Sequence, residues 1–216
     1  CMLLANQLVA VKIPKLLPKK YPFVYRVHPK PDKLKVERFI DLLKLLRLGI
    51  PVPQGELSPN DIKNVLKHVE DSPYRSLIET VALRTMSKAE YAMKNAGHFG
   101  LAFDHYTHFT SPIRRYPDLM IHRMIKLVHH HSIAPKSDWH EMMKKVVHSS
   151  NQAELQALSA EREYIKIKQL RWLNERIGQA FEGIISGVVS FGFFVELKLT
   201  LAEGLAISFL GSALWT

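Results

Sequence analysis

The residue types best suited to chemistry crowd into one stretch. It runs from Gly97-His98-Phe99-Gly100-Leu101 through His108-Phe109-Thr110-Ser111-Pro112-Ile113-Arg114-Arg115-Tyr116-Pro117-Asp118 to His122-Arg123. Ser followed by Pro is a sound helix start, because the hydroxyl caps a free amide and proline stands where no amide partner is needed. On that pattern Ser111 and Pro112 open a helix, with Arg114 and Arg115 in its first turn. A first turn carries unpaired N–H groups and partial positive charge, so acidic residues belong there and two arginines run against the dipole. A local rule broken without visible compensation marks a candidate functional site. A bound phosphate, gripped by the forked guanidinium, would compensate, so the chemistry on offer is anion binding. An ordinary capped surface helix competes with it. Ser-Pro recurs at Ser58-Pro59 and Ser72-Pro73, Arg75 also falls in a first turn, and Pro117 can restart the helix.

The triple His129-His130-His131 invites a metal. Successive helical residues point about 100° apart, so three in a row make a poor cage, and the triple is expected to be a solvated helix end. The single cysteine, Cys1, rules out an intrachain disulfide and fits a reducing compartment.

The chain that must position these residues has 216 of them, 47% hydrophobic, enough for one good-sized domain or one domain and part of a second. Its 30 Lys+Arg against 20 Asp+Glu give a net charge of +10, concentrated between Val11 and Arg47, where eleven basic residues face three acidic ones. Such a surplus favours a polyanion: nucleic acid, anionic membrane or an acidic protein. No apolar run approaches the ~18–20 residues of a membrane span, and no signal peptide is visible. The chain starts on Cys1-Met2-Leu3-Leu4 and stops on Leu214-Trp215-Thr216, so both ends are expected to be cuts in a longer protein.

Cys1 to Val11 is apolar and expected to be helical. Five prolines between Lys12 and Pro31 predict an extended connection holding a short strand at Phe23–Val27. Asp32 caps a helix with Leu34, Phe39, Leu42, Leu43 and Leu46 inward, ended by Gly49. Ser58-Pro59 and Ser72-Pro73 each open a helix; Asp138 with Glu141 and Ser149 with Gln152 resemble capping boxes and predict two more, the second reaching about Ile177. From Gly178 the texture becomes β-branched and aromatic, predicting strands over Phe181–Ser190, Phe191–Leu197 and Glu203–Ser208, with a domain boundary near residue 177.

His108-Phe109-Thr110-Ser111-Pro112-Ile113-Arg114-Arg115-Tyr116-Pro117-Asp118-Leu119, followed by His122-Arg123, resembles the signature of the catalytic domain of the ribonuclease II/ribonuclease R family. The likeness extends in order over Met2–Asn6, Tyr25–His28, Leu83–Met86 and Gly97–Leu101, and the Tyr-Arg-Val-His and Arg-Arg-Tyr-Pro-Asp spellings lean toward the ribonuclease R branch. The resemblance implies an α+β fold: residues 1–177 as the mainly helical C-terminal part of the RNB catalytic domain, then residues 178–216 as the start of an OB-fold RNA-binding module. It implies a parent enzyme that digests single-stranded RNA processively from the 3′ end to nucleoside 5′-monophosphates, monomeric and cytoplasmic, with Mg²⁺ held by clustered aspartates.

In that family the position of Arg114 lies near the scissile phosphate, which implies that it steadies transition-state charge. Thr110, Ser111 and Pro112 would line the RNA path, and Arg115, Tyr116 and Asp118 would brace the site. His98, His108 and His122 would either touch RNA or pack as satisfied core histidines. Glu161 matches a position that influences RNA holding and release, or is part of a solvated helix face with Arg162 and Lys166. Phe191 and Phe194 match the aromatic strand of the OB-fold module, as base-stacking platforms or as core. Gly204-Leu205-Ala206-Ile207-Ser208 departs from that module, which commonly has His after Gly-Leu. The seven aspartates of this chain, Asp32, Asp41, Asp61, Asp71, Asp104, Asp118 and Asp138, form no cluster in sequence. The metal ligands would therefore belong to the missing N-terminal part of the same protein, and this chain alone would be inactive. The alternative is a non-catalytic RNA-binding scaffold or degenerate homologue.

Overall fold

The computed structural model describes residues 1–18, 21–49, 57–130 and 138–207. They fall into two compact units, Cys1–Ala153 and Glu154–Thr216. The expected triple at His129–His131 is only partly visible: His129 and His130 are exposed at a helix end, and His131 lies outside the described residues, as do Ser208 and the chain's last residues.

The first unit opens with α1 (Met2–Leu16). The helix continues five residues past Val11 and takes in Pro14, where an extended segment was expected. Val9, Ile13 and Leu17 recur at helical spacing and pack on one core, and that burial outweighs the hydrogen bond lost at Pro14 near the helix end. β1 (Tyr25–Val27) follows, and α2 (Lys33–Leu45) starts where the Asp32 carboxylate accepts from the Leu34 and Lys35 amides at 3.0 and 3.4 Å. Phe39 and Leu43 are buried, but Leu34 points out, 65% exposed, and the helix stops four residues short of Gly49, where Arg47 turns left-handed (φ 48°).

α3 (Pro59–His68) carries a reciprocal box: the Ser58 hydroxyl accepts from the Asp61 amide, and the Ser58 amide donates to Asp61 at 2.8 Å. α4 (Arg75–Thr85) begins later than Ser72-Pro73 suggests, because Ser72 spends its hydroxyl on the Tyr74 amide (3.2 Å) in a turn and Tyr74 takes the cap position. Together α2, α3 and α4 enclose a core of Phe39, Leu43, Ile62, Val65, Val69 and Ile78.

β2 (Glu90–Ala92) pairs antiparallel with β1, Arg26 opposite Tyr91. Three residues long, it gives no alternation to see in sequence. α5 (Tyr116–His129) and the start of α6 (Trp139–Asn174) supply Met120, Ile121, Met124, Met143 and Val146, which pack with Phe23, Val24 and Tyr91. α6 is one helix of 36 residues, not two. Nothing between Trp139 and Asn174 is Gly or Pro, and Ser149 sits inside it, its hydroxyl directed to the Val146 carbonyl at 3.3 Å.

In the second unit β3 (Gly183–Val189), β4 (Gly192–Leu197) and β5 (Glu203–Ile207) form one antiparallel sheet in that order, with a register shift between Ile185 and Gly187. Gly192 lies so close to β5 that a Cβ there would strike the Ala206 carbonyl. The Gln169 amide donates to the Thr200 carbonyl at 2.9 Å, and Trp172 lies against Phe181. Helices followed by a strand-rich end give the expected α+β class. No described helix is long and apolar enough to cross a membrane.

Candidate nucleic-acid interface

Residues 106–118 lie mostly outside regular structure, yet the core holds them at four places. The Thr107 hydroxyl, fully buried, donates to the Val24 carbonyl at 2.7 Å, and the Arg26 amide donates to the Tyr106 carbonyl at 3.0 Å. Asn6, buried in α1, donates to the Tyr106 hydroxyl and accepts from the Phe109 amide, both at 3.0 Å. His122 of α5 stacks on Phe109, centroids 4.2 Å apart, and donates through Nε2 to the Phe109 carbonyl at 2.9 Å. One oxygen of Asp118 accepts from the Ser111 amide at 2.8 Å and from Arg115 Nε and a terminal guanidinium nitrogen at 3.1 and 2.8 Å.

Between these fixed points a turn projects. Ile113 at its tip is fully exposed and Arg114 beside it is exposed. The Arg114 amide donates to the Ser111 carbonyl at 3.3 Å, but its guanidinium has no hydrogen bond or ion pair among the described residues.

The helix start differs from expectation. α5 begins at Tyr116, with Arg115 at the cap and Pro117 at the second position. A helix begun at Pro112 would place Pro117 in its interior, where the ring clashes with a carbonyl four residues back and the missing N–H breaks the ladder. Arg114 and Arg115 therefore precede the helix, and its first turn holds Asp118, as the dipole rule requires. What distinguishes Arg114 is a guanidinium that is uncommitted among the described residues, carried on a fixed turn.

Beneath the turn lies a run of aromatic rings. His28 meets His98 edge-on at 5.3 Å, His98 meets Tyr106 at 5.1 Å, and Tyr106 meets His108 at 5.8 Å. His108 Nδ1 shares a hydrogen bond with the Tyr91 hydroxyl at 2.9 Å, and the Arg26 guanidinium lies 4.7 Å from the Tyr91 ring centroid. Burial, then the positive charges of Arg115 and Arg26, push the His108 pKa down to about 3. Burial and the neighbouring His28 push His98 down to about 4. Both rings are neutral near pH 7, so they offer hydrogen bonds and not charge. The Gly100 amide donates to His28 Nδ1 at 3.1 Å, and a Cβ at Gly100 would come within 2.8 Å of that nitrogen.

Thr110, Ser111, Pro112, Arg114, Arg115 and Tyr116 thus share one tethered turn, Tyr116 half-exposed at the head of α5. His98 and His108 join it through Tyr106. Glu161, Phe191 and Phe194 belong to the second unit. Glu161 is exposed on α6, Phe191 is exposed between β3 and β4, and Phe194 is half-buried in β4. Asn6, Arg26 and Tyr91 are contributors that spacing does not single out; an amide within the apolar run of α1 was the available sign for Asn6. Among the described residues no three ligating side chains gather where they could hold a metal ion, and Asp118, the one fully buried carboxylate, is engaged by Arg115 and Ser111. These residues do not fit a divalent cation.

A family model described as "RNB domain" matches residues 1–131, more than half of the chain. The chain belongs to the RNB domain family. This RNB chain is 40% identical over 207 residues to ribonuclease R of Aquifex aeolicus, covering 94% of itself and 28% of that relative. It therefore spans just over a quarter of that protein's length. Ribonuclease R of Mycoplasma genitalium, solved in complex with ribose-methylated single-stranded RNA, superposes with a TM-score of 0.81 at 31% identity over 94% of the RNB chain and 32% of its own. A yeast pseudonuclease superposes with a TM-score of 0.72 at 24% identity, over 95% and 26% of the two chains, which shows the shared fold alone.

Proposed function

We propose that this chain supplies the RNA-channel and phosphate-contact part of a 3′-to-5′ exoribonuclease that hydrolyses single-stranded RNA to nucleoside 5′-monophosphates. The observation that carries the proposal is the pairing of an exposed Arg114, unpartnered among the described residues, with a turn that the core holds at four places. A cation carried on a held turn and, among the described residues, uncommitted to any carboxylate can stabilise charge developing on a phosphate, because no ion pair has to be broken first. Thr110, Ser111 and Pro112 approach the RNA backbone beside it, with Tyr116 and the neutral rings of His98 and His108 as neighbours. Glu161, Phe191 and Phe194 serve RNA holding further along the chain. The reaction's Mg²⁺ would be held by residues outside this chain and would supply the activated water. The longer protein acts as a cytoplasmic monomer, and this chain by itself binds RNA without shortening it.

The test incubates this chain with 5′-labelled single-stranded RNA and Mg²⁺, and titrates binding of the same RNA against salt. Binding that weakens steeply with salt, without shortening, is expected, because contacts to phosphates release counterions. Stepwise shortening from the 3′ end by a contaminant-free sample would place the metal ligands inside this chain and overturn that part of the proposal. The alternative, a non-catalytic RNA-binding scaffold, predicts the same binding and also no shortening by the longer protein.

A further inference from the structure

Two adjacent arginines on one turn are chemically alike, yet the fold treats them in opposite ways. Arg115 directs Nε and one terminal nitrogen onto a single oxygen of Asp118, and the Ser111 amide occupies the same oxygen. The Asp118 side chain is fully buried and that of Arg115 is only 18% exposed. Arg114, one residue earlier, is exposed and its guanidinium is uncommitted among the described residues. A guanidinium whose Nε edge is closed on a buried carboxylate, and whose side chain is mostly buried, has only its far terminal edge left to offer a phosphate. Ser111 and Arg115 stand on either side of the tip that carries Arg114, so one carboxylate oxygen clamps both feet of the turn.

We propose that Asp118 is a positioning residue that divides the labour of the two arginines. It keeps Arg115 in the scaffold and off the nucleic acid, and by clamping Ser111 to Arg115 it sets the direction in which Arg114 meets the phosphate. This rests on the proposed role of Arg114. It goes beyond that role in giving Arg115 no RNA contact and in locating the control of Arg114 in a side chain that never meets substrate. The geometry also supplies a gentle probe. All three donors converge on Oδ2, while Oδ1 is buried without a hydrogen-bond partner among the described residues. Asparagine can present its carbonyl oxygen to the same donors, so Asp118→Asn keeps the shape and removes the charge that holds Arg115.

The experiment uses the longer protein that carries this chain and compares Asp118→Asn, Arg114→Ala and the double variant Asp118→Asn/Arg115→Gln. Asp118→Asn is expected to unfold cooperatively, to lose at least about tenfold in kcat with KM unchanged or lower, and to bind single-stranded RNA with a steeper salt slope. The slope should steepen by about 0.7, the increment of one phosphate contact on a single strand, because the released Arg115 gains one. The double variant should return the slope to its starting value while kcat stays low. Unchanged kcat and slope in Asp118→Asn, with turnover lost in Arg114→Ala, would overturn this inference and leave the role of Arg114 standing. Unchanged turnover in Arg114→Ala would instead remove the role on which it rests. A parallel fall of affinity and kcat in a folded Asp118→Asn would show Arg115 to be a binding residue and overturn the division of labour. If Asp118→Asn does not fold, Arg115→Lys keeps the charge and loses the fork; lower kcat at equal affinity is then expected, and unchanged kcat would overturn the inference.

Discussion

Arg114 differs from Arg115, the other arginine on its turn, in having no partner for its guanidinium among the described residues, and that difference predicts where its loss is felt. If Arg114 plays the proposed role, Arg114→Ala in the longer protein should lower single-turnover cleavage by ~10²-fold or more while equilibrium RNA affinity changes far less, because that role lies in the transition state. Unchanged cleavage with collapsed affinity would make Arg114 a binding residue. His108 makes a second prediction. Its folded pKa of about 3 lies below its ordinary 6.5, so between those values the unfolded chain binds more protons. The stability it contributes is fully present above about pH 6.5 and is lost as the pH falls toward 3; His98, at about 4, acts in the same sense. The unfolding temperature should therefore fall on acidification from pH 7, and less steeply in His108→Gln. Parallel pH profiles for the two proteins would contradict that assignment. The exposed half of this site was legible in sequence, because Arg114 belongs to a contiguous signature. The buried half was not. Asp118 gains its meaning from Ser111 and Arg115 folding back on it, and Asn6 from contacts with residues 100 and 103 positions away.

At the scale of the element, three Ser-Pro pairs that look alike in sequence do two different things. Ser58-Pro59 caps α3 because Asp61 stands at the third helical position and returns the hydrogen bond. Ser72-Pro73 makes a turn that delays α4 to Arg75, and Ser111-Pro112 makes a turn that delays α5 to Tyr116, where Pro117 can be tolerated. Sequence shows which residues are able to cap; the downstream acid or proline decides which do. Ser58→Ala should accordingly cost about 1 kcal/mol in denaturant unfolding. Ser72→Ala should cost clearly less, since its hydroxyl serves an exposed turn. Equal losses would argue against the reciprocal box as the source of the difference. The same logic explains α6, where Ser149 and Gln152 have the spacing of a box but no break in the chain to cap.

At the scale of the molecule, the α+β class and the change to strands after residue 178 follow from texture alone, since glycine-spaced β-branched and aromatic runs rarely make helices. The length of α6 does not, because its middle is not held by packing. Every residue from Gln152 to Lys168 is exposed, and only Met143 and Val146 of the whole helix are buried. The loop from Tyr106 to Asp118 has the reverse character, with little regular structure and both ends sewn into the core. Their amide protons should therefore exchange with deuterium in an order opposite to what secondary structure suggests. The Phe109 and Ser111 amides, bonded to Asn6 and Asp118, should outlast those in the middle of the longest helix in the chain. In this molecule the ribbon with the most regular shape would be the softer part, and the irregular one beside Arg114 would keep time with the core.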